Sequence, residues 1–188
     1  MQDFCCEIGS DMAFDEFYVK SVIKAIPNWP EPGVTFRDIM PILKDPKALR
    51  TVTDGFIERY VTSDITHIAS VDARGFLVSA ILAHQLNKPL ILVRKKGKLP
   101  GDTISESYSL EYGSATLEIQ TDACSEGDRV LLFDDLIATG GTLLAASSLI
   151  HKLGGQVVEV ASIIDLPDLQ GSAKLQDAGI PVFSLIAY

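Results

Sequence analysis

Beyond Thr66 the sequence alternates short apolar runs with stretches of helical periodicity, and this alternation constrains the possible folds more than any other feature. Continuous apolar runs are typical of strands that are covered on both faces, as in parallel sheets. Strands that alternate with helices predict an α/β fold with a doubly wound, mostly parallel sheet, in which ligands bind beyond the carboxyl ends of the strands. The predicted strands are residues 67–71, 90–93, 129–133, 157–164 and 182–187, and the predicted helices are residues 75–86, 139–153 and 169–178.

The residues before this region follow a different pattern. Apolar residues recur at helical spacing over residues 14–26, with Phe17 on the apolar face, and a proline ends the pattern, which predicts an amphipathic helix. The segment 27–33 is rich in proline and glycine, which predicts an irregular loop. Asp45 before Pro46 predicts the start of a second helix. The apolar stripe of that helix consists of Leu49, Val52, Phe56 and Tyr60.

Composition limits the class of protein. The chain has 188 residues, 47% of them hydrophobic, which suits a single domain that buries its own core. Its 25 acidic and 16 basic side chains give a net charge of -9, so the surface should repel nucleic acid and anionic membranes. No apolar run approaches the roughly 20 residues of a membrane helix. The three cysteines, Cys5, Cys6 and Cys124, lack metal or redox spacing. We expect a cytoplasmic protein that binds neither nucleic acid nor membrane.

The sharpest motif is the segment from Val130 to Thr142, in which an apolar strand leads through two acids and a turn of small residues into a helix. Glycines let the backbone approach a ligand closely, and the N–H groups at a helix N-terminus attract anions. The segment lacks the Walker and Gly-x-Gly-x-x-Gly patterns, which argues against ATP hydrolysis and dinucleotide binding. The predicted phosphate-binding residues are Ala138, Thr139, Gly140, Gly141 and Thr142.

Asp134 and Asp135 stand directly before this turn, where two carboxylates would repel a phosphate that offered nothing else. A ribose 5-phosphate also offers hydroxyl groups. The two carboxylates could accept hydrogen bonds from these hydroxyls, face a magnesium-bound pyrophosphate and favour the positive charge that develops on the sugar during glycosyl transfer. We therefore predict a catalytic role for both, whereas an acid pair outside such a motif more often caps the next helix.

The motif resembles the phosphoribosyl-pyrophosphate motif of the type I phosphoribosyltransferases, and its second half is closest to the adenine-specific branch. Other segments resemble that family in the same order along the chain, namely residues 32–39, 72–76, 94–101 and 108–113. The resemblance implies one phosphoribosyltransferase domain over residues 1–188. Within it, about residues 1–40 contribute a small hood and about residues 94–114 form a flexible catalytic loop. It also implies a homodimer and a Mg²⁺ ion that is bound mainly through the pyrophosphate of the substrate.

The resemblance also assigns roles to residues outside the motif. The turn after the strand 67–71 would aim backbone N–H groups and an arginine at pyrophosphate, and the family often has a cis peptide there. The implied pyrophosphate-binding residues are Asp72, Ala73, Arg74, Arg94, Lys95, Lys98 and Tyr112, and the implied adenine-binding residues are Phe36, Arg37 and Leu166. Glu111 is implied as the catalytic acid, carried by a lid that closes over the substrates. No residue is predicted as a direct metal ligand.

These observations lead to one leading hypothesis and two alternatives. The resemblance implies transfer of the 5-phosphoribosyl group from 5-phosphoribosyl 1-pyrophosphate to adenine, which yields AMP and pyrophosphate and serves purine salvage. One alternative is the same reaction with hypoxanthine, guanine or orotate, although the lysine typical of 6-oxopurine enzymes is missing after Val157. The other is a regulator that senses phosphoribosyl pyrophosphate, which would ordinarily bring a basic DNA-binding segment.

Overall fold

The computed structural model describes residues 14–109 and 114–188. The chain divides into two compact units, one ending at Thr51 and the other running from Val52 to Tyr188. In the first unit two short strands pair antiparallel, with Ala25 opposite Arg37. Its elements are helix α1 (Glu16–Val22), strands β1 (Lys24–Pro27) and β2 (Thr35–Asp38) and helix α2 (Met40–Lys44).

Helix α1 is shorter than the sequence predicts. The pattern extended the helix to residue 26, but α1 ends at Val22 and the next residues form β1. The predicted apolar face is also wrong, since Phe17 is 86% exposed while Val19 is fully buried. Backbone pairing with β2 removes the last predicted turn, so the remaining short helix need not follow the face that its apolar spacing indicated. The irregular loop is confirmed from Asn28 onward, between β1 and β2.

Helix α3 (Pro46–Tyr60) begins where the sequence predicts. The Asp45 carboxylate accepts hydrogen bonds from the N–H groups of Lys47, at 2.9 Å, and Ala48, at 3.2 Å, so Asp45 satisfies two of the free donors of the first turn. Phe56, from the predicted stripe, is fully buried and stacks edge-to-face on Phe133. Val52 and Tyr60 of the stripe are also buried and Leu49 is half-buried, so the stripe is confirmed as the buried side of α3.

The second unit is built on a seven-stranded sheet in the described part of the chain, with the strand order β5-β6-β4-β3-β7-β8-β9. Strands β4, β3, β7, β8 and β9 run parallel, whereas β6 and β5 are antiparallel additions at one edge. This confirms the predicted α/β class with a doubly wound, mostly parallel sheet. The elements are β3 (His67–Val71), α4 (Gly75–Leu86), β4 (Leu90–Lys95), β5 (Thr103–Ser109), β6 (Ser114–Gln120), β7 (Arg129–Ile137), α5 (Gly141–Lys152), β8 (Gln156–Asp165), a 3₁₀ turn (Pro167–Leu169), α6 (Gly171–Asp177) and β9 (Val182–Ala187).

The two faces of the sheet are covered by different helices, which explains the continuous apolar runs. On one side Ala69 and Val71 of β3 pack with Leu149 and Ile150 of α5 in a single buried cluster. Helix α4 contacts β3, β4 and β7. Because both faces are covered, successive residues of a central strand are buried whichever way they point.

The hairpin β5–β6 is the main element that the sequence pattern missed. The sequence predicts a long loop over residues 94–114, yet β5 occupies part of this interval and pairs with β6 from Thr103 opposite Gln120 onward. Strand β5 lies at the sheet edge, where Ile104 and Tyr108 pack on the core and the residues between them are polar. A strand with only a few apolar residues on one face gives a weak signal.

Candidate active site

The strands that follow β3 along the chain lie on both sides of it, so the strand order reverses at β3. The candidate site lies at this reversal. The chain passes from β3 to β4 on one side and later returns to place β7 on the other side of β3. Ligands of doubly wound sheets bind in the crevice beyond the carboxyl ends of the strands at such a switch point. Asp72 follows the end of β3, and the motif of small residues follows β7. The sequence motif and the topology therefore indicate the same place.

A cavity of about 280 Å³ lies at this switch point. It is lined by residues from the ends of β3 and β7, from the β5–β6 hairpin and from the start of α5. The sequence-predicted residues in its lining are Asp72, Ala73, Arg74, Lys95, Asp134, Asp135 and Thr142. Residues predicted separately for pyrophosphate, for catalysis and for phosphate are thus brought to one cavity.

The acid pair is held by the backbone and by one arginine. Asp135 is buried, and its N–H donates to Asp134 Oδ1 at 2.8 Å. Arg74 Nε lies 2.9 Å from Asp135 Oδ2. Burial, and secondarily the charge of Asp135, raise the pKa of Asp134 well above its usual value, and burial also raises the pKa of Asp135 against the opposing effect of Arg74. The site therefore favours a positive charge next to Asp134.

Close packing at the start of α4 brings the Asp72 turn next to the acid pair. The peptide bond between Asp72 and Ala73 is cis, as the family resemblance implies. A Cβ atom on Gly75 would lie 2.8 Å from Ser70 Oγ and 3.0 Å from Asp134 Oδ1. Only glycine therefore lets α4 begin this close to the end of β7.

The predicted basic residues differ in their surroundings. Arg94 Nε donates to Asp72 Oδ2 at 2.9 Å, and Arg94 Nη1 donates to the Lys98 carbonyl at 3.1 Å. Lys95 is exposed and lines the cavity. Lys98 is also exposed, but its side chain is not part of the cavity lining. Within the predicted basic cluster, Lys95 thus lies at the cavity wall while Arg94 braces the turn after β3.

A second, smaller cavity of about 80 Å³ lies at the predicted phosphate loop. Ala138, Thr139, Gly140 and Thr142 line it together with Asp134, so that Asp134 and Thr142 border both cavities. Gly140 has a left-handed φ of 79°, and a Cβ there would lie 2.8 Å from the carbonyl oxygen of Gly171. Helix α5 consequently starts at Gly141 rather than at residue 139, as the sequence pattern had suggested.

Two further features of this loop were not assigned a role from the sequence. Thr142 Oγ1 donates a hydrogen bond to the hydroxyl of Tyr108 at 3.1 Å, which ties the end of β5 to the first turn of α5. Gly171, at the start of α6, packs against Ala138 and Gly140 of the loop. Tyr108 and Gly171 lie outside the motif, and each reaches the site only because a separate element folds against the loop.

The predicted adenine-binding residues lie on separate elements. Phe36 and Arg37 are on β2 in the first unit, where the ring of Phe36 packs edge-to-face on Trp29 with centroids 4.4 Å apart. Leu166 is half-buried directly after β8, and its N–H donates to the Ile137 carbonyl at 3.0 Å, which places it beside the end of β7. The predicted residues Glu111 and Tyr112 lie outside the described part of the chain.

Residues 14–109 and 114–188 contain neither a cluster of metal ligands nor a membrane-spanning helix. No three side chains of His, Cys, Asp or Glu lie close enough together there to hold a metal ion. None of the helices in these residues combines the length and the apolar character that crossing a membrane requires.

Known proteins share both the sequence and the fold. Residues 41–178 match the phosphoribosyl transferase domain family. An adenine phosphoribosyltransferase from Marinomonas sp. (strain MWYL1) is 64% identical over 177 residues, which cover 94% of this chain and 98% of the relative. The crystal structure of adenine phosphoribosyltransferase from Thermoanaerobacter pseudethanolicus superimposes with a TM-score of 0.88 at 42% identity, over 92% of this chain and 99% of that chain.

The adenine phosphoribosyltransferase of Saccharomyces cerevisiae, solved with adenine and an imino-altritol bisphosphate, gives a TM-score of 0.85 at 35% identity, over 91% of this chain and 98% of that chain. The sequence matches, the fold matches and the position of the loop before α5 at the switch point all indicate the same family. The chain belongs to the phosphoribosyltransferase family, in its adenine phosphoribosyltransferase branch.

Proposed function

We propose that this protein transfers the 5-phosphoribosyl group of 5-phosphoribosyl 1-pyrophosphate to N9 of adenine and releases pyrophosphate. The observation that supports this best is the pair of adjoining cavities that share Asp134 and Thr142. One is lined by the glycine-containing turn before α5, and the other joins an acid pair to cationic side chains. A sugar that carries a phosphate at one end and a pyrophosphate at the other matches this division.

The smaller cavity would hold the 5-phosphate. Its lining consists largely of the turn before α5, where backbone N–H groups and the hydroxyls of Thr139 and Thr142 offer donors. Because Thr142 donates to Tyr108 in this structure, a bound phosphate would receive the Thr142 proton only if the Tyr108 hydroxyl turned to act as the donor. The phosphate site is therefore connected to strand β5.

The acid pair would act on the ribose. Asp134 and Asp135 can accept hydrogen bonds from two ribose hydroxyls, and the Asp134 carboxylate lies where both cavities meet. Its raised pKa means that its negative charge is poorly compensated in the free protein. A ribosyl group that gains positive charge as the pyrophosphate departs would compensate it, so the pair would stabilise the transition state more than the ground state.

The larger cavity would hold the pyrophosphate. Arg74 and Lys95 supply positive charge there, and the turn of Asp72 and Ala73 supplies backbone groups. Arg94 would act through Asp72, to which it is bound. We include Lys98 and Tyr112 in this site because of the family resemblance. The carboxylates in the lining suit Mg²⁺, which prefers oxygen ligands and is usually bound partly through substrate phosphates. When bound with the pyrophosphate, Mg²⁺ would neutralise charge on the leaving group.

The choice of adenine as the base that accepts the phosphoribosyl group rests on the relatives. The yeast relative was solved with adenine. In this chain we assign the base to Phe36, Arg37 and Leu166, with Glu111 exchanging a proton with the imidazole edge of the base. The homodimer that the resemblance implies and the cytoplasmic location expected from the composition stay predictions.

Turnover with a panel of bases tests the proposal and its alternatives. Adenine, hypoxanthine, guanine and orotate are each mixed with phosphoribosyl pyrophosphate and Mg²⁺, and nucleotide formation is followed by ultraviolet absorbance. We expect adenine to exceed every other base in kcat/KM by at least about 100-fold, because a site that hydrogen-bonds one base edge rejects the opposite pattern. Comparable turnover of hypoxanthine would contradict the choice of base. Binding of phosphoribosyl pyrophosphate without turnover of any base would favour the regulator.

A further inference from the structure

The first turn of α6 packs against the back of the phosphate loop, although it lies outside the motif that defines that loop. A Cβ atom on Gly171 would lie only 2.2 Å from the carbonyl oxygen of Ala138. Lys174, one turn further along α6, donates from Nζ to the Thr139 carbonyl at 3.3 Å. Two successive carbonyls of the loop are thus turned toward α6.

The direction of these carbonyls determines where the next two N–H groups point. Among the described residues, the cis peptides are Trp29–Pro30 and Asp72–Ala73, so the loop peptides are trans. In a planar trans peptide the carbonyl and the following N–H point in opposite directions. The N–H of Thr139 therefore points away from Gly171, and the N–H of Gly140 points away from Lys174. The cavity of about 80 Å³ is lined by these loop residues and by no residue of α6.

The charges around the phosphate loop also make the Lys174 ammonium relevant to phosphate binding. Arg74 and Arg94 each form an ion pair with an aspartate, Asp135 and Asp72 respectively, and Asp134 lies beside the loop. A phosphate dianion there would meet carboxylates in a chain of net charge -9. The Lys174 ammonium uses one of its three protons on the Thr139 carbonyl, and its charge polarises the peptide that carries the Gly140 N–H.

We propose that Gly171 and Lys174 are positioning residues for the 5-phosphate: Gly171 leaves room for the Ala138 carbonyl, and Lys174 anchors the Thr139 carbonyl, so that the following N–H groups face the phosphate. Neither residue touches the ligand. This inference rests on the proposed function, since it assumes that a phosphate binds in the smaller cavity.

The main test is the affinity for AMP of the Lys174→Met variant, measured by calorimetry. We expect AMP to bind about 3- to 10-fold more weakly, because an exposed hydrogen bond to a charged group has a modest net effect. The KM for phosphoribosyl pyrophosphate should rise by a similar factor, whereas the KM for adenine should stay the same. Lys174→Arg, which keeps the charge and the donors, should restore most of the affinity. A purely structural role would not separate the two substrates in this way.

One further variant is a control and another is a second test. Lys152→Met removes a lysine of α5 that binds Glu106 and lines neither site cavity, so AMP affinity should be unchanged. Gly171→Ala adds the Cβ atom that collides with Ala138 and should weaken AMP by about 10-fold or more through displacement of the loop. Unfolding in urea confirms that each variant is folded.

The outcomes separate this inference from the proposed function. If the wild type forms AMP from adenine and Lys174→Met binds AMP as tightly as the wild type does, the positioning role is wrong and the function stands. If the wild type neither binds nor forms AMP, both are wrong. Weaker AMP binding in Lys174→Met with an unchanged KM for adenine supports the positioning role.

Discussion

Asp134 is the residue on which the chemistry of the site depends most. It borders both cavities, its Oδ1 accepts the N–H of Asp135, and a Cβ on Gly75 would touch it. Burial disfavours its charge and raises its pKa well above the usual value. A carboxylate in this setting destabilises the free protein at neutral pH and is compensated when a positive charge arrives. The same feature that supports the proposed mechanism therefore predicts an effect on stability.

Asp134→Asn should be more stable than the wild type at neutral pH, while losing most of its activity. An unfolded aspartate titrates at about 4, and folding raises the pKa of Asp134, so the folded protein binds this proton more tightly than the unfolded one does. The free energy of unfolding then falls as the pH rises from about 4 through the raised pKa. The asparagine cannot titrate, and its Oδ1 can still accept the N–H of Asp135.

Urea unfolding of both proteins between pH 5 and 8 measures this difference. Asp168→Asn, at an exposed position in the 3₁₀ turn, is the matched control and should follow the wild-type curve. An Asp134→Asn variant that is less stable than the wild type at pH 7.5 would show that the carboxylate is well compensated in the free protein.

The functional role of a residue could be predicted from the sequence where the residue stands inside a motif, but not where it stands alone. Thr139, Gly140 and Thr142 stand in a segment whose composition already indicates an anion site. Gly171 and Lys174 have no such neighbours, because an ordinary short helix carries them. Their importance depends on where α6 packs, which the spacing of apolar residues does not determine.

Among the elements, those that are covered on both faces were predicted best. The observed bounds of β3 and of α4, which packs on it, equal the predicted ones. Their continuous apolar runs and helical periods result directly from burial. Strand β9 also keeps its predicted bounds, although it is an edge strand whose residues are mostly half-buried. Strand β5 was missed because it lies at the sheet edge, where few apolar residues are needed. The predicted end of helix α1 was wrong because the residues after it pair with β2 as strand β1.

The β5–β6 hairpin flanks the segment that contains Glu111. Strand β5 ends at Ser109 and β6 begins at Ser114, and the Tyr108 hydroxyl accepts a hydrogen bond from Thr142 in the phosphate loop. The described strand that leads to residue 110 therefore ends beside the proposed phosphate site. This is where a lid would have to be anchored in order to close over the substrates.

Glu111→Leu should lower kcat by at least about 100-fold, since general acid–base groups contribute roughly 100- to 10,000-fold. AMP binding should change little, because the phosphate loop is untouched. Steady-state kinetics with adenine and calorimetry with AMP measure the two effects. Glu58→Leu, an exposed glutamate on α3, serves as the control for the loss of a surface carboxylate. If folded Glu111→Leu keeps most of its kcat, Glu111 is not the catalytic acid and the proton leaves through water.

For the whole molecule, topology fixes the position of the site and local backbone geometry supplies its affinity. The net charge of -9 gives no general attraction for a polyanionic substrate. The switch point around β3 instead gathers the ends of two strands, and there the loop before α5 offers N–H donors. The sequence alone could predict this arrangement in outline, since alternating strands and helices imply it. The ion pairs of Arg74 and Arg94 could not be predicted, because they depend on which strands become neighbours.

The most direct test of this account is the affinity of Gly140→Ala for AMP, compared with that of Gly127→Ala. Both glycines have a left-handed φ, 79° and 89°, so alanine is strained at either position. A Cβ on Gly140 would lie 2.8 Å from the Gly171 carbonyl, whereas nothing lies within 4 Å of one on Gly127. By calorimetry, Gly140→Ala should bind AMP and phosphoribosyl pyrophosphate about 10-fold or more weakly, while Gly127→Ala matches the wild type. If folded Gly140→Ala binds AMP as tightly as the wild type does, the 5-phosphate does not bind at this loop.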